Sequence, residues 1–216
     1  MLRAVLFDFD GTLADTAPDL GGALNRLRAE RGLEALPLEA VRAHASSGAR
    51  GLLGVGFGLT SADADYEPMR QAFLAHYEAY ICQKTVLFPG TDALLAEISA
   101  RGLAWGIVTN KSTRLTTMIL KLLPLTPPPA CVVCGDSTPH LKPHPAPLLL
   151  AAEQLRLAPA DCIYLGDDRR DIQSAHAAGM QSVAVEYGYH GTGNGGPANW
   201  GAHHVIAQPL DLLRVL

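Results

Sequence analysis

The sequence predicts an α/β protein in which a doubly wound parallel sheet carries an inserted helical cap domain. Short runs that are apolar at nearly every position alternate with amphipathic segments, as expected for strands covered by helices on both faces. One long segment, residues 16–84, is helical in pattern and breaks this alternation. Aspartate-rich clusters follow two of the predicted strands, at the sheet edge where ligands bind in such folds.

The predicted strands are the apolar runs at residues 2–7, 103–108, 131–134, 162–165, 182–185 and, with a weaker pattern, 205–207. Amphipathic segments between them predict helices over residues 91–100, 112–123, 145–155 and 171–178. Gly102 and Gly179 follow two of these helices closely, which is typical of a helix C-terminus. This order of elements predicts ligand binding beyond the carboxyl ends of the strands.

Residues 16–84 are predicted to form the cap, and residues 1–15 and 85–216 the catalytic α/β core. The hinges are predicted near residues 14–16 and 84–86. Within the cap, only the glycine-rich run 51–58 resembles a strand. Two apolar faces at helical spacing predict its core: Leu20, Ala23, Leu24 and Leu27 on one, and Met69, Phe73, Tyr77 and Tyr80 on the other. The aromatic side chains are interpreted as core rather than as a ligand site.

Composition excludes several classes of protein. Apolar residues make up 48% of the 216-residue chain and charged residues 18%, which is typical of a globular protein. With 17 basic and 21 acidic residues the net charge is −4, so no basic field favours nucleic acid or anionic lipid. No apolar run approaches the roughly 20 residues of a membrane span, and no signal-peptide pattern is present. A cytoplasmic protein is therefore expected. No feature predicts an oligomeric state.

The cysteines and histidines do not predict a metal site. Cys131 and Cys134 form a C-x-x-C within a predicted strand, where residues three apart face opposite sides. No second cysteine pair completes a zinc site, so buried free thiols are expected. His140, His144 and the pair at 203–204 lack the spacing of metal ligands and are interpreted as surface or loop residues.

Asp8 and Asp10 come directly after the first predicted strand. Because strand side chains alternate, both carboxylates can point the same way while Phe9 points back. Two crowded carboxylates are costly unless a cation neutralises them, so the pair predicts a divalent-metal site with one carboxylate free for chemistry. Gly11 permits a sharp turn after them. The alternative is an ordinary polar turn at Asp10 and Gly11.

Two further segments carry polar groups at predicted helix starts. Thr109 and Asn110 offer a hydroxyl, an amide and backbone N–H groups, which suit a phosphate, although a simple helix N-cap explains them equally well. Lys142 is followed by Pro143 and Pro145, which fix the backbone and aim the ammonium. A solvated surface lysine is the alternative.

Three acids, Asp167, Asp168 and Asp171, follow the fourth predicted strand, and a helix N-cap explains only one of them. In order and spacing, the segments D-x-D-G-T, V-T-N, K-P-x-P and G-D-x-x-x-D resemble the four motifs of the haloacid dehalogenase (HAD) superfamily along nearly the whole chain. The chain also resembles the phosphoglycolate phosphatase branch, whose helical cap lies between the first two motifs. Stretches 47–50, 105–111, 187–189 and 199–201 look most like N-acetylmuramic acid 6-phosphate phosphatases.

The resemblance implies a HAD-like Rossmannoid core and an Mg²⁺-dependent phosphatase. Asp8 would attack phosphorus and form an aspartyl-phosphate, and Asp10 would act as acid and then base. The metal would be held by Asp8, Asp167 and the backbone carbonyl of Asp10. Asp171 and also Asp168 would orient the waters bound to the metal. Thr109, Asn110 and Lys142 would stabilise charge on the phosphoryl oxygens.

The expected substrate is a small phosphomonoester, with N-acetylmuramic acid 6-phosphate or 2-phosphoglycolate as the best candidates. Both carry a carboxylate, and Arg50 is the candidate to bind it, although a solvated arginine is an equal alternative. Asp10 argues against dehalogenases, because halide leaves without a proton, and it also argues against phosphonate-cleaving enzymes. A sugar-phosphate mutase is the second candidate, although mutases commonly have Gly-Val where this chain has Gly11 and Thr12. A phosphate-dependent binding protein without activity is the third.

Overall fold

The computed structural model describes residues 1–123, 125–191, 193 and 195–216. The strands in this part of the chain are β1 (Ala4–Phe7), β2 (Ala14–Asp15), β3 (Val86–Leu87), β4 (Ala104–Val108), β5 (Cys131–Val133), β6 (Cys162–Gly166), β7 (Gln181–Val185) and β8 (His204–Ile206). Six of these strands form a parallel sheet in the order β5-β4-β1-β6-β7-β8, which confirms the predicted fold class and every predicted strand of the sheet. The strand order reverses beside β1, so the carboxyl end of β1 lies at the point where such sheets bind ligands.

Helices cover both faces of the sheet and fill the segment between β2 and β3. They are α1 (Ala17–Ala29), α2 (Leu38–Ala45), α3 (Gly48–Phe57), α4 (Tyr66–Ala79), α5 (Thr91–Ala100), α6 (Thr113–Leu122), α7 (Ala146–Leu155) and α8 (Arg169–Ala178). The last begins two residues earlier than predicted because Asp168 caps it, accepting a hydrogen bond from the Arg170 N–H at 2.9 Å. None of the helices in the described ranges is long and apolar enough to cross a bilayer.

The strand-like reading of residues 51–58 is wrong, because this run lies mostly within α3. Gly56 faces α1, where an added Cβ would come within 2.6 Å of Leu24 Cδ1. Gly58 then ends the helix in the left-handed conformation, with φ +68°. Glycine lowers helix propensity, but here it permits α1 and α3 to approach closely. The local sequence does not reveal this close packing between the two helices.

The two apolar faces predicted for this helical segment are buried, with one exception. Tyr80 is 42% exposed, and the Arg26 guanidinium lies 3.7 Å from the centroid of its ring. The prediction for Tyr80 is wrong because α4 ends at Ala79, so the helical spacing no longer places the next side chain inward.

The two connections predicted as hinges lie side by side. Strands β2 and β3 pair antiparallel, with Ala14 opposite Leu87. The buried Asp19 carboxylate then accepts hydrogen bonds from the backbone N–H groups of Lys84 and Thr85 and from the Thr85 hydroxyl, at 2.7–3.0 Å. A two-residue strand shows no periodicity, which explains why the sequence did not predict this pair.

The thiols and histidines agree with their predictions. Cys131 and Cys134 are buried and free, and burial raises the pKa of the Cys131 thiol to about 12. His140, His144, His203 and His204 are exposed.

Candidate active site

A cavity of about 690 Å³ lies between the carboxyl edge of the sheet and helices α1–α4. Its lining includes nearly all the predicted site residues: Asp8, Asp10, Arg50, Thr109, Asn110, Lys142, Asp168 and Asp171. Asp167 is fully buried beside them at the end of β6. The structure therefore brings together groups from β1, β4, β6 and the turn before α7, because the carboxyl ends of parallel strands meet at one edge.

Three carboxylates form the centre of the site. Asp8, Asp167 and Asp171 each offer an oxygen, and these oxygens lie within 4.8 Å of one another. Burial raises the pKa of Asp8 to about 7, with the Lys142 ammonium opposing this shift and Asp171 adding to it. Burial, Asp8 and Asp171 raise the pKa of Asp167 well above its ordinary value, against hydrogen bonds that lower it.

The acidic cluster fits a divalent cation. Lys142 Nζ lies 2.9 Å from Asp8 Oδ1 and 2.7 Å from Asp171 Oδ1. One ammonium does not balance three carboxylates, and oxygen donors of this kind are those that Mg²⁺ prefers. The cluster contains Asp171, which the sequence analysis placed outside the direct ligands of the metal. The side chain of Asp10 is not part of the cluster and has hydrogen-bond partners of its own.

Lys142 is a buried, fully engaged lysine with an exposed fraction of 4%. Besides the two carboxylates, its ammonium contacts the Tyr164 hydroxyl at 2.6 Å and the Val108 carbonyl at 3.1 Å. The alternative of a solvated surface lysine is therefore wrong. The Asn110 side chain holds the Lys142 backbone from both sides, accepting from its N–H at 2.9 Å and donating to its carbonyl at 3.1 Å. Asn110 therefore positions the lysine.

Asp10 has its own partners. Its carboxylate accepts hydrogen bonds from the Thr16 hydroxyl at 2.5 Å and from Lys111 Nζ at 2.9 and 3.2 Å. Burial alone would lower the pKa of Lys111, but the Asp10 carboxylate raises it above its ordinary value. The sequence analysis assigned no role to Lys111. The available signal was its position directly after the V-T-N segment.

Asp167 is held by groups from three distant segments. It accepts hydrogen bonds from the Thr12 hydroxyl at 3.2 Å, the Ser46 hydroxyl at 3.0 Å and the Tyr189 N–H at 3.0 Å. Gly11 passes so close that an added Cβ would lie 2.2 Å from Asp167 Oδ2, and its φ of +86° also favours glycine. The turn after β1 can therefore close over the acidic cluster only with glycine at this position.

Asp168 faces Arg170 and not the acidic cluster. Its two oxygens accept from Nε and Nη2 of Arg170 at 2.9 and 3.0 Å, and Nη2 also donates to the Ser46 carbonyl at 2.8 Å. Arg170 therefore links the start of α8 to the loop between α2 and α3. The sequence analysis missed Arg170 and Ser46, and no local pattern marks a contact between residues 124 positions apart.

The two remaining predicted residues are less constrained. Arg50 lies in α3, lines the cavity and is exposed, and no hydrogen bond or ion pair joins its guanidinium to the described residues. Thr109 is buried at the end of β4, and its hydroxyl accepts a hydrogen bond from the Lys111 N–H at 3.2 Å. Both side chains border the cavity, as a substrate-binding role requires.

Comparison with known proteins agrees with this architecture. The chain is 42% identical over 216 residues to an N-acetylmuramic acid 6-phosphate phosphatase from Pseudomonas putida, covering 100% of this chain and 96% of the relative. It is 42% identical over 210 residues to a phosphoglycolate phosphatase from Xanthomonas campestris, covering 97% and 94% of the two chains. A crystal structure of a predicted phosphoglycolate phosphatase from Haemophilus somnus superposes with a TM-score of 0.86 at 26% identity, covering 99% and 97%.

The resemblance inferred from the four motifs is thus confirmed. Residues 5–185 match the family model described as haloacid dehalogenase-like hydrolase, and the match spans the strands that carry Asp8, Thr109 and Asp167. Because this model matches residues 5–185 and the two relatives align over nearly the whole chain, the chain belongs to the haloacid dehalogenase-like hydrolase family.

Proposed function

We propose that this protein hydrolyses small phosphomonoesters in an Mg²⁺-dependent reaction through an aspartyl-phosphate on Asp8. The observation that carries the proposal is the buried cluster of Asp8, Asp167 and Asp171 beside Lys142, at the end of β1 and within an accessible cavity. Two similar proteins named as phosphatases, one for N-acetylmuramic acid 6-phosphate and one for phosphoglycolate, support the same reaction class.

The residues around the acidic cluster fit a bound Mg²⁺ ion. Asp8, Asp167 and the backbone carbonyl of Asp10 would hold it, and Asp171 would either bind it or orient its waters. When bound, the ion supplies positive charge that polarises the phosphoryl group and offsets the charge of the incoming carboxylate.

The side chains divide the reaction between them. An oxygen of Asp8 attacks phosphorus, the bond to the leaving alcohol breaks, and Asp10 gives its proton to the departing oxygen. Asp10 then takes a proton from the water that attacks the aspartyl-phosphate, which releases phosphate and restores Asp8. Lys142 and Thr109 stabilise charge on the phosphoryl oxygens, and Lys111 with Thr16 orients Asp10.

We propose that residues 16–84 act as a cap over this site and that Arg50 binds a carboxylate on the substrate. Arg50 borders the cavity without a protein partner in the described chain, so its guanidinium is available for a bidentate contact. N-acetylmuramic acid 6-phosphate and 2-phosphoglycolate both carry the required carboxylate.

Phosphate release from a panel of phosphomonoesters tests the proposed function. The panel contains N-acetylmuramic acid 6-phosphate, 2-phosphoglycolate, glucose phosphates and phenyl phosphate, each with Mg²⁺ and with a chelator. We expect Mg²⁺-dependent release, abolished by the chelator and restored by added Mg²⁺. Release from none of these esters would contradict the proposal, and activity only with a bisphosphate activator would identify a mutase.

Replacing Arg170 by Ala is expected to raise KM about 10-fold for the best substrate while kcat changes less. The variant loses the hydrogen bond to the Ser46 carbonyl, so the loop that leads to Arg50 is no longer held over the cavity. Arg169→Ala is the matched control, because Arg169 is exposed at the adjacent position. Equal KM values for the two variants would show that the Arg170 contact does not position the loop.

A further inference from the structure

We propose that Tyr189 is a positioning residue for the reaction, and that its hydroxyl orients the acid Asp10 by fixing the backbone that carries Thr16. The inference rests on the proposed phosphomonoester hydrolysis and adds a residue that acts on the site from outside the cavity. The sequence analysis noted Tyr189 only within the stretch 187–189 and gave it no role. The structure places it in the loop after β7, against the first of the two predicted hinges.

The Tyr189 hydroxyl is buried and fully hydrogen-bonded. It accepts from the backbone N–H of Thr16 at 2.7 Å and of Ala17 at 2.9 Å, and it donates to Asp15 Oδ1 at 2.9 Å. A hydroxyl has one proton and two lone pairs, so these three contacts match its capacity. Burial raises the pKa of Tyr189, so the group stays protonated and can donate to Asp15.

These contacts leave the side chain of Thr16 available to the active site. Thr16 is the N-cap residue of α1, a position where a threonine hydroxyl usually accepts a hydrogen bond from the first turn of its own helix. Here it makes no such bond, and the Tyr189 hydroxyl accepts from the N–H groups at the helix start instead. The Thr16 hydroxyl donates to Asp10 Oδ1 at 2.5 Å. Tyr189 is therefore connected to Asp10 through a single intervening residue.

Tyr189 is anchored on the core, so it can serve as a fixed point for the start of α1. Its backbone N–H donates to Asp167 Oδ2 at 3.0 Å. The preceding Gly188 lies so close that an added Cβ would come within 2.2 Å of Asp167 Cβ. The ring is 4% exposed, and its centroid lies 6.5 Å from that of Phe88. The loop that carries Tyr189 is thus packed directly on the acidic cluster.

The same hydroxyl is linked to α2 through Asp15. The Arg42 guanidinium pairs with both oxygens of Asp15, at 2.8 and 2.9 Å, and its central carbon lies 5.6 Å from the centroid of the Tyr189 ring. Removing the hydroxyl would leave two N–H groups and Asp15 without this partner, and the start of α1 could then shift. A displacement of ~1 Å at a catalytic group can cost about 100-fold in rate.

Tyr189→Phe tests the assignment because it removes only the hydroxyl. A misplaced acid matters most for an ester whose leaving oxygen needs its proton. We expect kcat/KM to fall about 10- to 100-fold for phenyl phosphate and for the best alkyl phosphate. It should change little for 4-nitrophenyl phosphate, whose leaving group is a stable anion. Because kcat/KM includes only the steps up to the aspartyl-phosphate, the later action of Asp10 as a base does not enter.

Tyr187→Phe is the matched control for this comparison. Tyr187 lies in the same loop, and its ring centroid is 5.0 Å from that of Phe88. Its hydroxyl forms no hydrogen bond within the part of the chain that the structure describes. The control should therefore hydrolyse both aryl phosphates as the parent does.

A double-mutant cycle shows whether Tyr189 acts through Thr16. Thr16→Val removes the hydroxyl that meets Asp10 but keeps the backbone N–H that meets Tyr189. If the proposal is right, adding Tyr189→Phe to Thr16→Val should change kcat/KM for the best ester by no more than about 2-fold. An equal effect of Tyr189→Phe in both backgrounds would overturn the proposal.

The outcomes separate this role from the proposed function. If the parent releases phosphate from no ester, the proposed function fails. If the parent is active but Tyr189→Phe slows the two aryl phosphates equally or changes neither, the positioning role is overturned. Thermal unfolding of each variant establishes that it is folded at the assay temperature. A Tyr189→Phe protein that did not fold would assign the hydroxyl to the stability of the fold and would also overturn the proposal.

Discussion

Replacing Asp8 by Asn is expected to lower kcat by at least about 10⁴-fold and to leave the metal-free protein no less stable than the parent. The amide cannot act as the nucleophile, so no aspartyl-phosphate forms. The same change removes one of three clustered negative charges that share a single ammonium. In a chelator, we therefore expect the free energy of unfolding to stay the same or rise by roughly 1–2 kcal/mol.

Thermal unfolding with a chelator and with Mg²⁺ separates these two effects for Asp8→Asn. The parent should gain stability from Mg²⁺, and the variant should gain much less because one ligand is lost. Asp65→Asn is the control, since Asp65 is exposed and its side chain makes no capping hydrogen bond at the start of α4. An Asp8→Asn protein that retained turnover would show that another group attacks phosphorus.

Replacing Lys142 by Met is expected to lower both activity and stability. The side chain is buried, and its ammonium is the cation that contacts Asp8 and Asp171. Removing one partner from a buried ionic cluster leaves uncompensated charge, which typically costs about 3–5 kcal/mol. We expect a comparable loss in the metal-free protein, and a fall in kcat of about 10²–10³-fold from lost charge stabilisation.

Added Mg²⁺ makes the Lys142 result informative even though the variant is destabilised. Part of the lost stability should return with the metal, because a cation again offsets the carboxylates, whereas kcat should stay low. Urea unfolding and initial rates at saturating Mg²⁺ measure the two quantities. Lys121→Met, an exposed position on α6, is the control and should change neither. Full recovery of kcat with Mg²⁺ would show that Lys142 is needed only for folding.

The sequence by itself determined the sheet, most of the helices and the segments that carry the site. Strands buried on both faces are apolar throughout, so β1 and β6 are visible as local patterns. The polar residues that follow them, among them Asp8 and Asp167, interrupt those patterns at the edge where a parallel sheet binds its ligands. Both signals depend only on neighbouring residues, and the structure agrees with them.

The tertiary structure alone decided which partner each of these groups meets. Asp10 pairs with Lys111 across 101 positions of the chain, and Ser46 reaches Asp167 across 121. Periodicity indicates which face of an element is buried, but it contains no information about the side chain on the opposite surface. For the same reason the sequence assigned Tyr77 to the core and did not show that this residue also lines the cavity.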